Sequence, residues 1–317
     1  MLTLDLVVPC YNEEESIPLF YEETKKVLNT MSNVSAKFIF VNDGSKDKTM
    51  QILTALSEKD ERVKYISFSK NFGKEAAMLA GMQFSCAEVV GILDADLQHP
   101  PTLIPDMLSA ITEEDYDIAA GCRGDRGGES KIKSAFSHTF YKLCNRITDA
   151  QMEDGAQDFR LMKRKVVDAI LNMPEYNRFS KGIFSWVGFK TKWFPHENIE
   201  RVAGKTKWSF WELVSYGIDG IVNFSTAPLK ISLVLGSFSS MIGLIYALYI
   251  IVRTLIFGSD VPGYPSIICA IMIFGDFILL SMGVLGEYIA RIYKEVKNRP
   301  NYIVDKTNIL PENPKKN

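Results

Sequence analysis

The sequence predicts an α/β domain with a mostly parallel sheet, followed by a hairpin of two membrane-spanning helices. Three observations carry that expectation. Short apolar strands alternate with helical segments over roughly the first ninety residues. Polar, acidic turns recur at the ends of those strands. Two long apolar stretches lie toward the C-terminus, and the first of them, Ile231 to Val252, holds no charged residue. Strands alternating with helices pair in parallel through right-handed crossovers.

Leu4 to Pro9 is an apolar strand ended by proline. The polar turn Cys10 to Ser16 leads into a helix over Ile17 to Met31. Lys37 to Asn42 is a second strand, rich in aromatic and β-branched residues. It ends in Asp43-Gly44-Ser45, where Ser45 is expected to cap a helix over Thr49 to Lys59. Val63 to Ser67 is a third strand, and Asn71-Phe72-Gly73-Lys74 turns into a helix over Glu75 to Ser85. Val89 to Leu93 is a fourth strand, and Asp117 to Gly121 is a fifth.

Composition narrows the function classes. A chain of 317 residues can bury a full α/β core and still have length to spare. The formal net charge of −2 gives no bulk basic field for nucleic acid. Five scattered cysteines without a C-x-x-C pair suggest neither a zinc site nor a disulfide framework, and point to a reducing compartment. No basic-then-apolar signal precedes the first strand, so the globular part is expected in the cytoplasm.

The fourth strand ends in the chemistry-bearing run Asp94-Ala95-Asp96-Leu97-Gln98-His99-Pro100-Pro101. Two carboxylates at i and i+2 and a carboxamide at i+4 can turn oxygen ligands toward one point. Such ligands suit a hard divalent cation, Mg²⁺ or Mn²⁺. The carboxyl edge of an open α/β sheet is also where such folds bind ligands. The competing reading is an acidic turn that merely closes a strand. Neither G-x-G-x-x-G nor G-x-x-x-x-G-K-[ST] occurs, so a nucleotide would bind through carboxylates and a metal.

Four motifs in order resemble one family. Val8-Pro9-Cys10-Tyr11-Asn12-Glu13-Glu14, Val41-Asn42-Asp43-Gly44-Ser45, Asn71-Phe72-Gly73-Lys74 and Asp94 to Pro101 are similar to those of the family-2 inverting glycosyltransferases. These have the GT-A fold, a Rossmann-like, mostly parallel sheet. The likeness is greatest to the membrane-bound polyprenyl-phosphate sugar transferases, the dolichol-phosphate mannose synthases and bactoprenol glucosyltransferases. Asn42 stands where many members have Asp. The resemblance implies a nucleotide-sugar pocket of Pro9, Tyr11, Asn12, Glu13, Asp43 and Asp94, with Lys74 as a phosphate contact or a solvated helix-end lysine. It implies a metal held by Asp94, Asp96 and Gln98. Asp158, in Ala156-Gln157-Asp158-Phe159-Arg160, matches the acidic residue placed near the anomeric carbon, with Asp96 as the other catalytic carboxylate. Arg160 is expected to pair with Asp158 or touch phosphate.

The rest of the chain reads as membrane attachment. Ile132, Phe136, Phe140, Leu143 and Ile147 recur at helical spacing among basic residues, which predicts an interfacial amphipathic helix over 131–147. Arg123, Arg201, Lys205 and Lys207 are candidates for holding the acceptor phosphate. The uncharged stretch is long enough to cross a hydrocarbon core of about 30 Å at about 1.5 Å per residue. A second stretch, Ile267 to Gly286, carries only Asp276. Lysines and arginines flank the pair, and the loop from Leu255 to Pro265 has none, with Arg253 the exception near the outer end, which puts both flanks and both termini in the cytoplasm. The expected division is a GT-A domain over 1–225, a membrane region over 226–293 with helices over 231–253 and 267–289, and a cytoplasmic tail over 294–317 that is polar and poorly ordered from Asn301.

The expected reaction is inverting sugar transfer from a UDP-sugar, UDP-glucose first, to a polyprenyl phosphate at a bacterial cytoplasmic membrane. GDP-mannose, UDP-galactose or a UDP-N-acetylhexosamine are alternative donors. The expected partners are the donor, the lipid acceptor and the bilayer, with no nucleic acid. Two helices shield Asp276 poorly, which points to a homo-oligomer. A processive polysaccharide synthase would carry Gln-x-x-Arg-Trp and more spans, and neither is present. A non-catalytic nucleotide-sugar scaffold would not need Asp94, Asp96 and Asp158 together, and a flippase would need more than two spans.

Overall fold

The computed structural model describes residues 1–124, 153, 155–173, 175–196, 222, 225–257 and 263–309. Along the first 92 residues strands and helices alternate: β1 (Leu2–Cys10), α1 (Ser16–Leu28), β2 (Val34–Asn42), α2 (Thr49–Lys59), β3 (Val63–Phe68), α3 (Lys74–Phe84) and β4 (Val89–Ile92). A 3-10 turn at Pro101–Leu103 leads into α4 (Ile104–Thr112), and β5 (Ile118–Arg123) follows. Then come β6 (Ala156–Lys163), α5 (Arg164–Leu171), α6 (Ser180–Trp186) and β7 (Thr191–His196). Two long helices, α7 (Ala227–Phe257) and α8 (Tyr264–Val296), precede a last strand, β8 (Val304–Thr307).

All eight strands join one sheet in the order β7-β5-β6-β4-β1-β2-β3-β8. The first four pair in parallel, as their alternation with helices requires. Inward-facing residues alternate along the central strands, so the sheet buries both faces. Leu4, Leu6 and Val8 of β1 pack with Phe38 and Phe40 of β2 against Ile17, Phe20, Leu53 and Met107. Val7, Ile39 and Val41 point the other way, against Ala77, Met78, Val166 and Ile183. Period-two burial on both faces is the mark of a sheet sandwiched between helix layers.

The parallel pattern changes at β6, which lies antiparallel between β4 and β5. This reversal places Asp158. Ile92 of β4 pairs with Arg160 of β6 in an antiparallel register. Continuing that register by two residues sets Asp94 opposite Asp158. The start of β6 therefore meets the end of β4 at the carboxyl edge of the sheet.

Helices α7 and α8, at 31 and 33 residues, are about 46 and 50 Å long at 1.5 Å per residue, longer than a hydrocarbon core. The apolar stretches Ala227–Tyr246 and Ala270–Val296 are each long enough to cross a membrane, and neither is buried. Leu233, Leu244, Leu255 and Leu279 face outward with more than two-thirds of their surface free. A hairpin packed inside a water-soluble globule would hide such residues. The excess length of α8 reaches the globular domain, where the Glu295 carboxylate accepts the amide N–H of Tyr176 at 2.8 Å. The Tyr288 hydroxyl donates to the Ser225 carbonyl at 2.6 Å.

Two expectations are corrected. Residues 301–309 are not a poorly ordered tail, because β8 adds to β3 as an antiparallel edge strand; 310–317 lie outside the described residues. Tyr302 stacks on Phe68 with ring centroids 4.9 Å apart, and its hydroxyl donates to Gln83. The flanking prolines masked a short run, Tyr302-Ile303-Val304, apolar enough to dock. Ser45 does not cap α2 either. Its hydroxyl accepts the amide of Asn12, and the Asp47 carboxylate takes the Thr49 amide instead.

Candidate active site

Two strand-end loops, 10–16 after β1 and 43–49 after β2, are laced together by reciprocal side-chain-to-backbone bonds. Asn12 accepts the Lys46 amide at 2.9 Å, and Thr49 accepts the Glu13 amide at 2.9 Å. Glu14 accepts the Lys48 amide at 2.9 Å, and Asp47 accepts the Glu14 amide at 3.2 Å. Asn12 has φ 54, a left-handed conformation that Asn tolerates, so the chain turns sharply there. The two loops line a cavity of about 420 Å³ together with Ser16. Pro9, Tyr11, Asn12 and Glu13 all sit at this edge.

Asp43 holds the next loop. Its two carboxylate oxygens accept the amides of Phe72 at 2.6 Å and Gly73 at 2.9 Å. Burial pushes its carboxyl up, and the two amides pull it back only partly. Gly44 beside it has φ 65, and a Cβ there would lie 2.3 Å from the Lys70 carbonyl carbon, so only glycine lets the two loops touch. Asn42 has a matching role: its amide donates to the Ser67 hydroxyl and its carbonyl accepts the Ser45 amide.

The turn that Asp43 holds delivers Lys74 to the centre. Its ammonium lies 2.6 Å from an Asp94 oxygen and 2.6 Å from an Asp158 oxygen. The sequence predicts a phosphate contact or a solvated lysine at Lys74; in the structure it bridges the two carboxylates. Burial opposes the Lys74 charge, but Asp158 and Asp94 outweigh it and hold its pKa well above the ordinary lysine value. Burial likewise opposes charge on the two acids. Lys74 and His99 overcome it at Asp94, and Lys74 and Lys181 overcome it at Asp158, so both carboxyls fall below the usual range and stay ionised. One lysine thus serves two carboxylates that remain 25% and 17% exposed.

Around this centre, Asp96 accepts the Gln98 amide at 3.1 Å, and Leu97 between them takes φ 56, a tight turn after β4. Arg160 does not ion-pair with the Asp158 carboxylate through any bond seen here. It donates to the main-chain carbonyls of Asp158 at 3.2 Å and Gln157 at 2.6 Å, and its guanidinium lies 3.6 Å over the Phe184 ring. Burial lowers its pKa to about 10, so it stays charged. Next to Lys74, Glu75 accepts the Ser180 amide, fixing the start of α3 to the start of α6. Sequence reasoning missed two buried imidazoles, His99 and His196, which contact each other at 3.3 Å beside Asp94. Arg123 ends β5 at the same edge of the sheet. Arg201, Lys205, Lys207 and the expected helix over 131–147 lie outside the described residues.

Among the described residues, no three His, Cys, Asp or Glu side chains gather in metal-binding geometry. A Mg²⁺ or Mn²⁺ ion that travels with a nucleotide needs only one or two protein carboxylates, since phosphates and water complete its shell. Asp94, ionised and partly exposed, and Asp96 two residues on supply that donor set, so the residues fit such an ion.

Residues 5–171 match the family model "Glycosyl transferase family 2". The putative glycosyltransferase CsbB of Bacillus subtilis is 43% identical over 98% of this chain and 94% of its own. The chain belongs to glycosyltransferase family 2. The SfII prophage-derived bactoprenol glucosyl transferase of Shigella flexneri is 42% identical over 96% of this chain and 98% of its own. A solved mannosyltransferase from Pyrobaculum calidifontis, in complex with GDP-Man and Mn²⁺, superposes with a TM-score of 0.47 at 15% identity, covering 93% of this chain and 86% of that one. That overlap is too distant to carry weight, and the assignment of this family-2 enzyme rests on the sequence matches. The match covers β1 to α5, the part that carries Asp43, Lys74, Asp94, Asp96 and Asp158.

Proposed function

We propose that this glycosyltransferase moves glucose from UDP-glucose, with inversion, to a polyprenyl phosphate at the cytoplasmic face of a bacterial membrane. One observation carries the reading: Lys74 draws Asp94 and Asp158, from opposite strands, to a single point. The carboxylate that follows β4 is suited to the donor's diphosphate side, and Asp158 to the sugar side. The bactoprenol glucosyl transferase relatives and the two outward-apolar helices support the lipid acceptor and the membrane setting.

In this mechanism an acceptor phosphate oxygen attacks the anomeric carbon as the bond from that carbon to the diphosphate breaks, and UDP leaves. A phosphate monoester has a second pKa of about 6, so the nucleophile is already anionic near neutral pH. Asp158 need not remove a proton. Its carboxylate, held ionised, stabilises positive charge on the sugar in the transition state and orients the ring. Lys74 is placed to follow the diphosphate's charge as it builds. A divalent cation bound by Asp94, Asp96 and Gln98 would supply further charge neutralisation of the leaving diphosphate. Pro9, Tyr11, Asn12, Glu13 and Asp43 form the nucleotide end, and the candidates for holding the acceptor phosphate are Arg123 and, outside the described residues, Arg201, Lys205 and Lys207. Asp276 is exposed on α8, and a second copy of the chain would shield it.

The test is a donor screen with the full-length protein in vesicles containing polyprenyl phosphate and Mg²⁺ or Mn²⁺. UDP-glucose should give a lipid-extractable glucosyl phosphate of inverted anomeric configuration, and GDP-mannose, UDP-galactose and UDP-N-acetylglucosamine should give less. A retained configuration, or no lipid-linked product from any donor, overturns the proposal.

A further inference from the structure

The buried imidazoles of His99 and His196 have no part in the mechanism above, yet the sheet is shaped to hold them. His196 ends β7, the edge strand, and β5 lies between it and β6. Its ring reaches across β5 at Gly121, where a Cβ would stand 2.9 Å from His196 Cε1 and 3.1 Å from Phe159 Cδ1. The missing side chain leaves a gap through which the imidazole crosses. Beyond the gap it meets the Phe159 ring edge-on at 6.2 Å and the His99 ring at 5.5 Å, 86° between planes. His99 in turn stacks on Phe159, 5.5 Å between centroids and 20° between planes. Phe159 follows Asp158 directly, so the stack touches the backbone of one active-site carboxylate and a polar contact reaches the other.

The polar contacts run in one line. His196 Nδ1 lies 3.3 Å from the Phe194 carbonyl oxygen, His196 Nε2 lies 3.3 Å from His99 Nδ1, and His99 Nε2 lies 3.6 Å from Asp94 Oδ2. A carbonyl only accepts, so the His196 proton is on Nδ1 and its Nε2 accepts from His99 Nδ1–H. Burial lowers the His196 pKa, which keeps that ring a neutral acceptor. With Nδ1–H given to His196, His99 meets the ionised Asp94 as a donor only in its doubly protonated form, both ring nitrogens carrying a proton and Nε2–H turned toward Oδ2. The other Asp94 oxygen faces Lys74 at 2.6 Å.

We propose that His99 and His196 are a positioning pair, anchored on the Phe194 carbonyl through the gap at Gly121, that fixes the orientation of the Asp94 carboxylate. The pair acts through Asp94 and touches no substrate. The inference rests on the proposed role of Asp94 at the donor's diphosphate.

Full-length protein in vesicles tests it, with UDP-glucose as the probe in the presence of Mg²⁺. His196→Ala should raise both the Kd for UDP-glucose and its KM by about tenfold or more, as loss of a residue that orients a ligating side chain does. The KM for polyprenyl phosphate should not move. His196→Gln, whose side-chain carbonyl can accept from His99 Nδ1–H, should restore most of the affinity. Gly121→Ala removes no polar group but fills the gap, and should reproduce the loss. In an Asp94→Asn background, His196→Ala should have no further effect on the Kd. An unchanged Kd in folded His196→Ala, while Asp94→Asn weakens binding, overturns the positioning pair alone. A full additive loss in the Asp94→Asn background does the same, because it would mark a general packing role. An unchanged Kd in Asp94→Asn overturns the donor assignment on which the pair depends.

Discussion

The two edges of the sheet both carry clusters of charge, and they differ in how that charge is balanced. At the amino edge, ahead of β3, Asp60 is gripped by Arg62 at 2.8 Å and accepts the Tyr21 hydroxyl at 2.7 Å, with Lys25 at 3.9 Å. Ahead of β5, Asp117 has Lys165 at 2.7 Å and Lys163 at 3.4 Å. Each acid there has at least one cation of its own. At the carboxyl edge, Asp94 and Asp158 share Lys74 as their one bonded lysine, with His99 beside Asp94 and Lys181 acting on Asp158 from further off. A buried cluster that merely holds a fold together gains by local neutrality, since unpaired buried charge is costly. A surplus of carboxylate beside a cleft is tolerated when a bound partner supplies the missing charge. The comparison therefore separates structural from functional acids more sharply than burial or motif alone.

The largest effect that would break this distinction lies at Asp158. Asp158→Asn should lower glucosyl transfer by about a hundredfold or more, the cost of losing one preorganised charge aimed at the transition state. Binding of UDP-glucose, measured by equilibrium dialysis, should be retained, and the unfolding midpoint should not fall. Wild-type turnover in this variant would remove Asp158 from the mechanism. A lowered midpoint would place it with the structural acids of the other edge.

Next in size is Lys74→Met. Without the shared ammonium the two carboxylates repel each other, and donor binding should weaken by roughly tenfold, in line with loss of a residue that orients ligating groups. The pH profile carries a signed prediction. Lys74 helps hold the Asp158 carboxyl below the usual range, so wild-type turnover should not lose its carboxylate until the pH is well below neutral. In Lys74→Met the Asp158 pKa rises, and the acid limb of the rate profile should move toward higher pH. An unmoved limb would mean that Asp158 does not govern it.

Much of this geometry was legible in the sequence, and the remainder shows where one-dimensional reading stops. Alternation of apolar runs placed β1 to β4 and their helices within a few residues, because period-two burial and proline or glycine stops are local signals. The acids at the strand ends could be named, since Asp94 ends an apolar run. The meeting of Asp158 with Asp94 is not local: it depends on β6 running antiparallel to β4 in a register that no residue of β6 announces. The His99–His196 pair was invisible for a related reason. It needs a glycine on a third strand, Gly121, to let one imidazole pass. β8 was missed because prolines surround it and its partner lies more than two hundred residues earlier, as the Asn308 to Tyr65 contact shows.

On the structural edge, Asp60→Asn should reduce stability by roughly 1–3 kcal/mol, the cost of a charge-assisted bond left half made. Catalytic rate in the folded protein should be unchanged. The Arg62 guanidinium holds the Asp60 carboxyl well below the usual range, so its folded pKa is depressed against about 3.9 in the unfolded chain. A depressed carboxyl stabilises the fold above the unfolded pKa and loses that contribution as pH falls toward the folded one. The stability gap between wild type and Asp60→Asn should thus be full at pH 6 and shrink below about pH 4. A gap independent of pH would trace the loss to packing.

The smallest expected effect sharpens the same contrast from the other side. Asp115 pairs with Lys163 at 2.9 Å, a shorter contact than the Asp117–Lys163 pair beside it, yet its side chain is 92% exposed. Distance alone would rank it with Asp60. Solvent screens such a pair, and two long side chains must be ordered to hold it, so its net worth falls toward nothing. Asp115 also sits at φ 56, a left-handed conformation that asparagine adopts as readily as aspartate. Asp115→Asn therefore removes the charge and leaves the backbone at ease. Thermal unfolding at low and high salt should give the wild-type midpoint in both. A drop as large as that of Asp60→Asn would show that ion-pair distance, and not burial with local charge balance, decides which acids hold this fold.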